Sequence, residues 1–195
     1  MSSFEERLKL FNPDYFTQNE RELVVREVAR DGEAAVRFQL PPDRLGLAFK
    51  LDKAEIFSFL NSRKAGDGFL LVQDKVGCWA GHVVECKKTA NVGQLNKAAE
   101  QLRMSLVRLQ IIADFLNIEV TTWRAWIAFR RGLNSSTDPA LLRAPVGGQL
   151  NKRQKEHQSA IRMWRSEQID DVPIVGTLAL GKIKLDESGE GVQEL

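Results

Sequence analysis

The sequence predicts a single α/β domain, residues 1–195, built on a mixed β-sheet flanked by helices. Three observations predict it. Two apolar runs, "GFLLV" and "HVVEC", flank a polar turn and indicate a strand–turn–strand unit. A long segment with helical periodicity follows, and a β-rich segment comes after it. The chain is 43% hydrophobic and long enough to enclose one substantial core.

The N-terminal third begins with a predicted β-hairpin. Residues 21–40 form two alternating runs around a turn at Asp31-Gly32. Two prolines then interrupt the chain, and "LAFKLD" predicts another short strand. Residues 53–64 predict a helix, with Asp52 as N-cap and Glu55 as its capping-box partner.

The central segment contains the clearest secondary-structure signals. Residues 69–73 predict one strand and residues 79–86 a second, joined by the turn "DKVG". The next segment predicts an amphipathic helix, and its apolar stripe comprises Leu95, Ala98, Ala99, Leu102, Leu106, Leu109, Ile112 and Leu116. A further strand carries Trp123 and Trp126, which lie three residues apart and should therefore face opposite sides of the sheet.

A change in amino-acid composition near Asn134 separates a core, residues 55–133, from a C-terminal embellishment, residues 134–195. The embellishment begins with a loop rich in Ser, Pro and Gly. A polar, basic helix follows, then a strand or hairpin over "VGTLALGKIKLD". The acidic end, "ESGEGVQEL", is expected to fray.

Charge and cysteine content limit which kinds of binding site and which cellular location the sequence favours. The formal net charge is +2, so any nucleic-acid-binding surface must be local. Cys78 and Cys86 lack CxxC spacing and the chain has two histidines, which disfavours a structural zinc site. Reduced thiols, no secretory signal and no bilayer-length apolar run favour a cytoplasmic protein without membrane contact.

A charged group at the end of a buried strand carries the predicted chemistry. In the strand "HVVECKKT", Glu85 and Lys87 share one face because side chains alternate. An antiparallel hairpin turning at "DKVG" would place Asp67, at the start of the first strand, beside Glu85. Two carboxylates suit Mg²⁺, which binds through carboxylates, waters and phosphate oxygens. The turn residue Asp74 would lie at the far end of the hairpin and is disfavoured as a ligand.

The pattern "GDGFLLV…HVVECKKT…GQL" resembles the PD-(D/E)xK nuclease superfamily, whose fold is restriction-endonuclease-like. The resemblance covers residues 55–129. It implies that Asp67 and Glu85 bind Mg²⁺ or Mn²⁺, that Lys87 is the catalytic lysine, and that Gln94 is the helical glutamine seen in several branches. Glu55 is a candidate for an extra acid, and Gly66 stands where proline is common.

The resemblance implies a Mg²⁺-dependent nuclease that hydrolyses phosphodiester bonds, with DNA favoured over RNA as the partner. The alternative is a non-catalytic subunit of a defence or mobile-element complex that binds nucleic acid or protein. A homodimer or a larger complex fits either function. Candidate nucleic-acid contacts are basic residues near the core strands and on the C-terminal helix, namely Lys88, Arg130, Arg131, Lys152, Lys155, Arg162 and Arg165. For that helix, a solvated amphipathic surface is an equally supported interpretation. His82 and at least one of the tryptophans are expected to serve packing.

Overall fold

A computed structural model describes residues 3–29, 32–51, 57, 60, 62, 64–75, 77–133 and 151–195. Within them the chain forms three α-helices, one 3₁₀ turn and ten strands. The helices are α1 (Phe4–Leu8), α2 (Val92–Leu116) and α3 (Lys152–Ser166), and the 3₁₀ turn is Pro13–Tyr15. The strands are β1 (Phe16–Asn19), β2 (Glu22–Ala29), β3 (Gly32–Gln39), β4 (Gly46–Phe49), β5 (Gly68–Lys75), β6 (Cys78–Thr89), β7 (Glu119–Arg131), β8 (Gln168–Val172), β9 (Gly176–Lys184) and β10 (Glu190–Glu194).

Seven strands form a mixed main sheet in the order β1-β4-β5-β6-β7-β9-β8. Strands β4, β5 and β6 are an antiparallel meander, whereas β6, β7 and β9 run parallel. Helix α2 connects β6 to β7, as a parallel pair requires. The predicted mixed α/β architecture is therefore confirmed, and the residues after 134 supply β8 and β9 to this sheet.

The other three strands form a small sheet in the order β10-β3-β2. The predicted N-terminal hairpin is confirmed, because β2 and β3 pair antiparallel from Glu22↔Gln39 onward. The expected frayed tail is wrong, because β10 pairs parallel with β3. Composition misled here since pairing uses backbone groups, while an exposed strand can carry polar side chains on its outer face.

The two sheets and the helices form three layers around two hydrophobic cores. All eight residues of the predicted α2 stripe are buried in the core between the main sheet and the helices. A second core lies between the main sheet and the small sheet and includes Val25, Val84 and Trp126. Trp123 packs against the first core, so the two tryptophans do face opposite sides. The layers place β6 between the helices and the hairpin.

Two sequence predictions concern the connection between β4 and β5. Asp52 and Glu55 belong to residues 52–56, which lie outside the described residues, so the predicted N-cap and the candidate extra acid stay predictions. The predicted helix does not extend to residue 64, because Ser62 and Lys64 are described and are not helical.

None of the helices in the described ranges is long and apolar enough to cross a membrane.

Candidate active site

Backbone pairing fixes Asp67 at the open end of the β5–β6 hairpin. Gly68 pairs with Val84, and the Asp67 N–H donates to the Val84 carbonyl at 2.9 Å. The carboxylate of Asp67 accepts a hydrogen bond from the Cys86 N–H at 2.7 Å. Asp67 is therefore beside Glu85 in the register, and the predicted placement of these two residues is confirmed.

Glu85 and Lys87 project from β6 toward α2. Glu85 is 1% exposed, and the Lys87 ammonium forms an ion pair with its Oε1. The ammonium also donates to Oε1 of Gln101 on α2, at 3.2 Å. Lys87 is thus held between a buried carboxylate and a side-chain amide of the helix.

Helix α2 also holds the segment that leads into Asp67. Gln101 Nε2 donates to the Ala65 carbonyl at 2.8 Å. One turn later, Ser105 Oγ accepts from the Gly66 N–H at 2.7 Å and donates to the Gln101 carbonyl. A Cβ on Gly66 would lie 2.6 Å from the Val84 carbonyl oxygen, so glycine permits this close approach. Gln101 therefore connects Lys87 to the same segment that positions Asp67.

Burial dominates the electrostatics of Glu85. Desolvation, followed by the charge of Asp67, raises the pKa of Glu85 to about 8, and Lys87 only partly opposes this. Glu85 Oε2 is buried and has no hydrogen-bond partner among the described residues. An ionised carboxylate in this position is costly, and Lys87 offsets only part of that cost, so a further cation beside Oε2 would stabilise the ionised form.

Glu27 is a third carboxylate at the site, and sequence analysis missed it. It comes from β2 of the small sheet, and its carboxylate, that of Asp67 and the Cys86 Sγ have ligand atoms within 4.8 Å of one another. Burial, then Asp67, raises the pKa of Glu27. A usable signal existed in the alternation of β2: Leu23 and Val25 face the core, so Glu27 is the next inward-facing residue.

The donor set fits a hard divalent cation. Asp67 and Glu27 offer carboxylate oxygens from two sheets in one cluster with the Cys86 Sγ, and Glu85 lies outside that cluster. The charges of Asp67 and Glu27 still reach Glu85, whose buried Oε2 has no hydrogen-bond partner among the described residues. Burial and the surrounding carboxylates raise the pKa of the Cys86 thiol far above its ordinary value, which keeps this weak ligand protonated. Oxygen ligands at such a site suit Mg²⁺ or Mn²⁺.

The other predicted site residues fall into separate regions. Gln94 forms no side-chain hydrogen bond within the described residues, but it lines a groove together with Lys88 and Arg130. Arg131 is exposed and lies outside that groove. The helix residues Lys155 and Arg162 line a different groove, between α2 and α3, where Arg162 pairs with Asp170 at 3.3 Å. Lys152 and Arg165 are exposed on α3 and line none of these described grooves.

Gly68 permits the contact that brings the small sheet to the site. A Cβ at Gly68 would lie 2.4 Å from Val25 Cγ2, two residues before Glu27. We expect Gly68→Ala to lower the free energy of unfolding by about 1–3 kcal/mol, because the added methyl overpacks this contact. It should also weaken Mn²⁺ binding by moving Glu27 away from Asp67. Urea unfolding and isothermal titration with Mn²⁺ measure the two effects.

Gly93→Ala is the matched control for Gly68→Ala. The nearest atom to a Cβ at Gly93 would be 3.6 Å away, so this substitution should leave Mn²⁺ affinity unchanged. Stability should be unchanged or slightly higher, because alanine favours a helix more than glycine does. Equal urea midpoints for Gly68→Ala and the parent would show that β2 and β5 do not pack this closely.

No protein-family model, curated protein or solved structure matches this chain in comparisons with known proteins.

Proposed function

We propose that this protein is a Mg²⁺-dependent nuclease of the PD-(D/E)xK type, with a restriction-endonuclease-like fold, that hydrolyses phosphodiester bonds in DNA. One observation carries the proposal. The carboxylates of Glu27 and Asp67 lie together at one end of the β5–β6 hairpin. Beside them is the buried Glu85, which feels both of their charges, pairs with the Lys87 ammonium and has one oxygen without a hydrogen-bond partner among the described residues.

Each residue has a distinct role in this proposal. Asp67 and Glu85 hold the cation, with Glu27 as a third ligand from the small sheet. A bound Mg²⁺ would polarise the scissile phosphate and supply a water of lowered pKa. Lys87, positioned by Gln101, directs its charge to where negative charge develops on the phosphate, and such preorganised charge stabilises a transition state.

The order of elements supports the family assignment within the proposal. Asp67 precedes β5, the Glu-x-Lys unit lies on β6, and α2 follows with a glutamine facing the lysine. One face of the main sheet differs from the predicted sheet flanked by helices. The described helices contribute to the core on one side, whereas the small sheet covers the other side and brings Glu27 to the site.

Cleavage assays on the intact chain test the proposed function. Linear, branched and single-stranded DNA, and RNA, are incubated with Mg²⁺ or Mn²⁺, and Asp67→Asn purified in the same way is the control. We expect the parent to cut DNA in a reaction that EDTA and Asp67→Asn both abolish. Equal cleavage by Asp67→Asn would identify a contaminant or a different site. Nucleic-acid binding without cleavage of any substrate, and without divalent binding by titration, would overturn the proposal in favour of a binding module.

A further inference from the structure

Two grooves meet at the candidate active site. The first, here the Lys50 groove, has a volume of about 670 Å³ and is lined by Arg26, Lys50, Glu27 and Asp67, among others. The second, here the Arg130 groove, has a volume of about 360 Å³ and is lined by Lys87, Lys88, Gln94, Arg130, Glu27 and Glu33, among others. Glu27 lines both grooves, so a chain-like ligand that passes the site can occupy one groove on each side.

The two grooves differ in charge. The Arg130 groove has three cationic side chains, Lys87, Lys88 and Arg130, and two carboxylates. The Lys50 groove has the opposite balance, with two cationic side chains and three carboxylates. An anionic group beside the site is therefore better accommodated in the Arg130 groove.

Arg130 is held in place by backbone groups of β3 and of the turn between β9 and β10. Its Nη2 donates to the carbonyls of Glu33, at the start of β3, and Ser188, the latter at 3.4 Å. Gly189 has a φ of +92°, and a Cβ there would lie 2.3 Å from Arg130 Nη2. Nε and Nη1 of Arg130 have no hydrogen-bond partner in the described part of the chain, which leaves donors for a phosphate.

We propose that the Arg130 groove binds a backbone phosphate of an unpaired nucleic-acid strand, next to the phosphate that is cut. This inference rests on the proposed function and specifies its substrate class. The site is recessed, since Glu85 is 1% and the Lys87 side chain 13% exposed. A duplex is stiff over about 150 base pairs, whereas a single strand bends into a recess of this size.

Binding measurements in EDTA test the inference without cleavage. A fluorescent single-stranded DNA oligonucleotide and the same sequence as a duplex are titrated with the parent chain. We expect the single strand to bind at least about tenfold more tightly. Arg130→Gln should weaken single-strand binding about tenfold and reduce the salt slope by about one, as expected for loss of one phosphate contact.

Arg131→Gln is the matched control, because Arg131 is the exposed neighbour outside the groove and its loss removes the same charge. Two further variants cover the case in which Arg130→Gln disturbs the fold. Arg130→Lys keeps the charge without the forked donors and should bind with intermediate affinity, and Lys88→Gln removes an exposed cation from the same groove.

The outcomes separate this inference from the proposed function. Equal affinities for Arg130→Gln and Arg131→Gln, or a duplex bound as tightly as the single strand, overturn the inference even if Mg²⁺-dependent cleavage is present. If cleavage is absent but single-strand binding depends on Arg130 and Lys88, the groove is a binding site and the nuclease proposal fails.

Discussion

Replacing Lys87 with methionine should lower the rate of Mg²⁺-dependent cleavage by about two to four orders of magnitude, the range for loss of a catalytic proton donor or charge. Methionine keeps an unbranched side chain of similar length in a position that is 13% exposed, so the fold should persist. The ammonium is held by Glu85 and Gln101, and its charge matters most where the transition state gains negative charge. Mn²⁺ affinity should change little, because the proposed ligands are carboxylates.

Lys88→Met is the control for the loss of one positive charge from β6. Lys88 is adjacent, exposed and part of the Arg130 groove, so its loss should raise KM and leave kcat nearly unchanged. A folded Lys87→Met protein that cuts at the parent rate would show that Lys87 only neutralises Glu85.

The sequence could predict those site residues whose positions depend on strand alternation and hairpin register. Alternation along β6 and the register of a hairpin bring Asp67, Glu85 and Lys87 together, and both rules depend only on residues close in sequence. Glu27 is about forty positions before Asp67, and its approach depends on how the small sheet packs on the main sheet. That packing depends on Gly68, whose role is clear only when Val25 is placed against it.

The helical glutamine shows a different limit of sequence analysis. Gln94 and Gln101 are seven residues apart, which is about two turns, so both lie on the same face of α2. Periodicity therefore cannot choose between them. The choice depends on which turn of α2 lies opposite the end of β6. In the structure Gln101 contacts Lys87, whereas Gln94 lines the Arg130 groove.

Replacing Glu85 with glutamine should change how stability depends on pH. The pKa of Glu85 is raised to about 8 from an ordinary value of 4.5, so the folded state binds a proton that the unfolded state has released between these two values. The stabilisation from Glu85 is complete below pH 4.5 and is lost as the pH rises toward 8, at up to about 1.4 kcal/mol per pH unit. Glutamine does not titrate, so it removes this dependence.

The difference between parent and variant isolates Glu85 from other groups. Burial lowers the pKa of His82 to about 4, which removes stability as the pH falls from 6.5 toward 4, the opposite trend. His82 is present in both proteins and cancels in the difference. Urea unfolding in EDTA is measured at intervals from pH 5 to 9. The free energy of unfolding of Glu85→Gln should rise relative to that of the parent as the pH rises.

Mg²⁺ should restore the stability that the parent loses at high pH when Glu85 ionises, and it should have little such effect on Glu85→Gln. A cation that binds the ionised Glu85 competes with its proton, so the rise in Tm caused by Mg²⁺ should be larger at pH 8 than at pH 6. Glu85→Gln should show little rise at either pH, because it lacks the charged oxygen that is proposed to bind the ion. A parent–variant difference that stays flat from pH 5 to 9 would mean that Glu85 is ionised throughout and satisfied by Lys87. In that case the buried pair would be a structural ion pair, and the charge that the proposed metal site requires would already be neutralised.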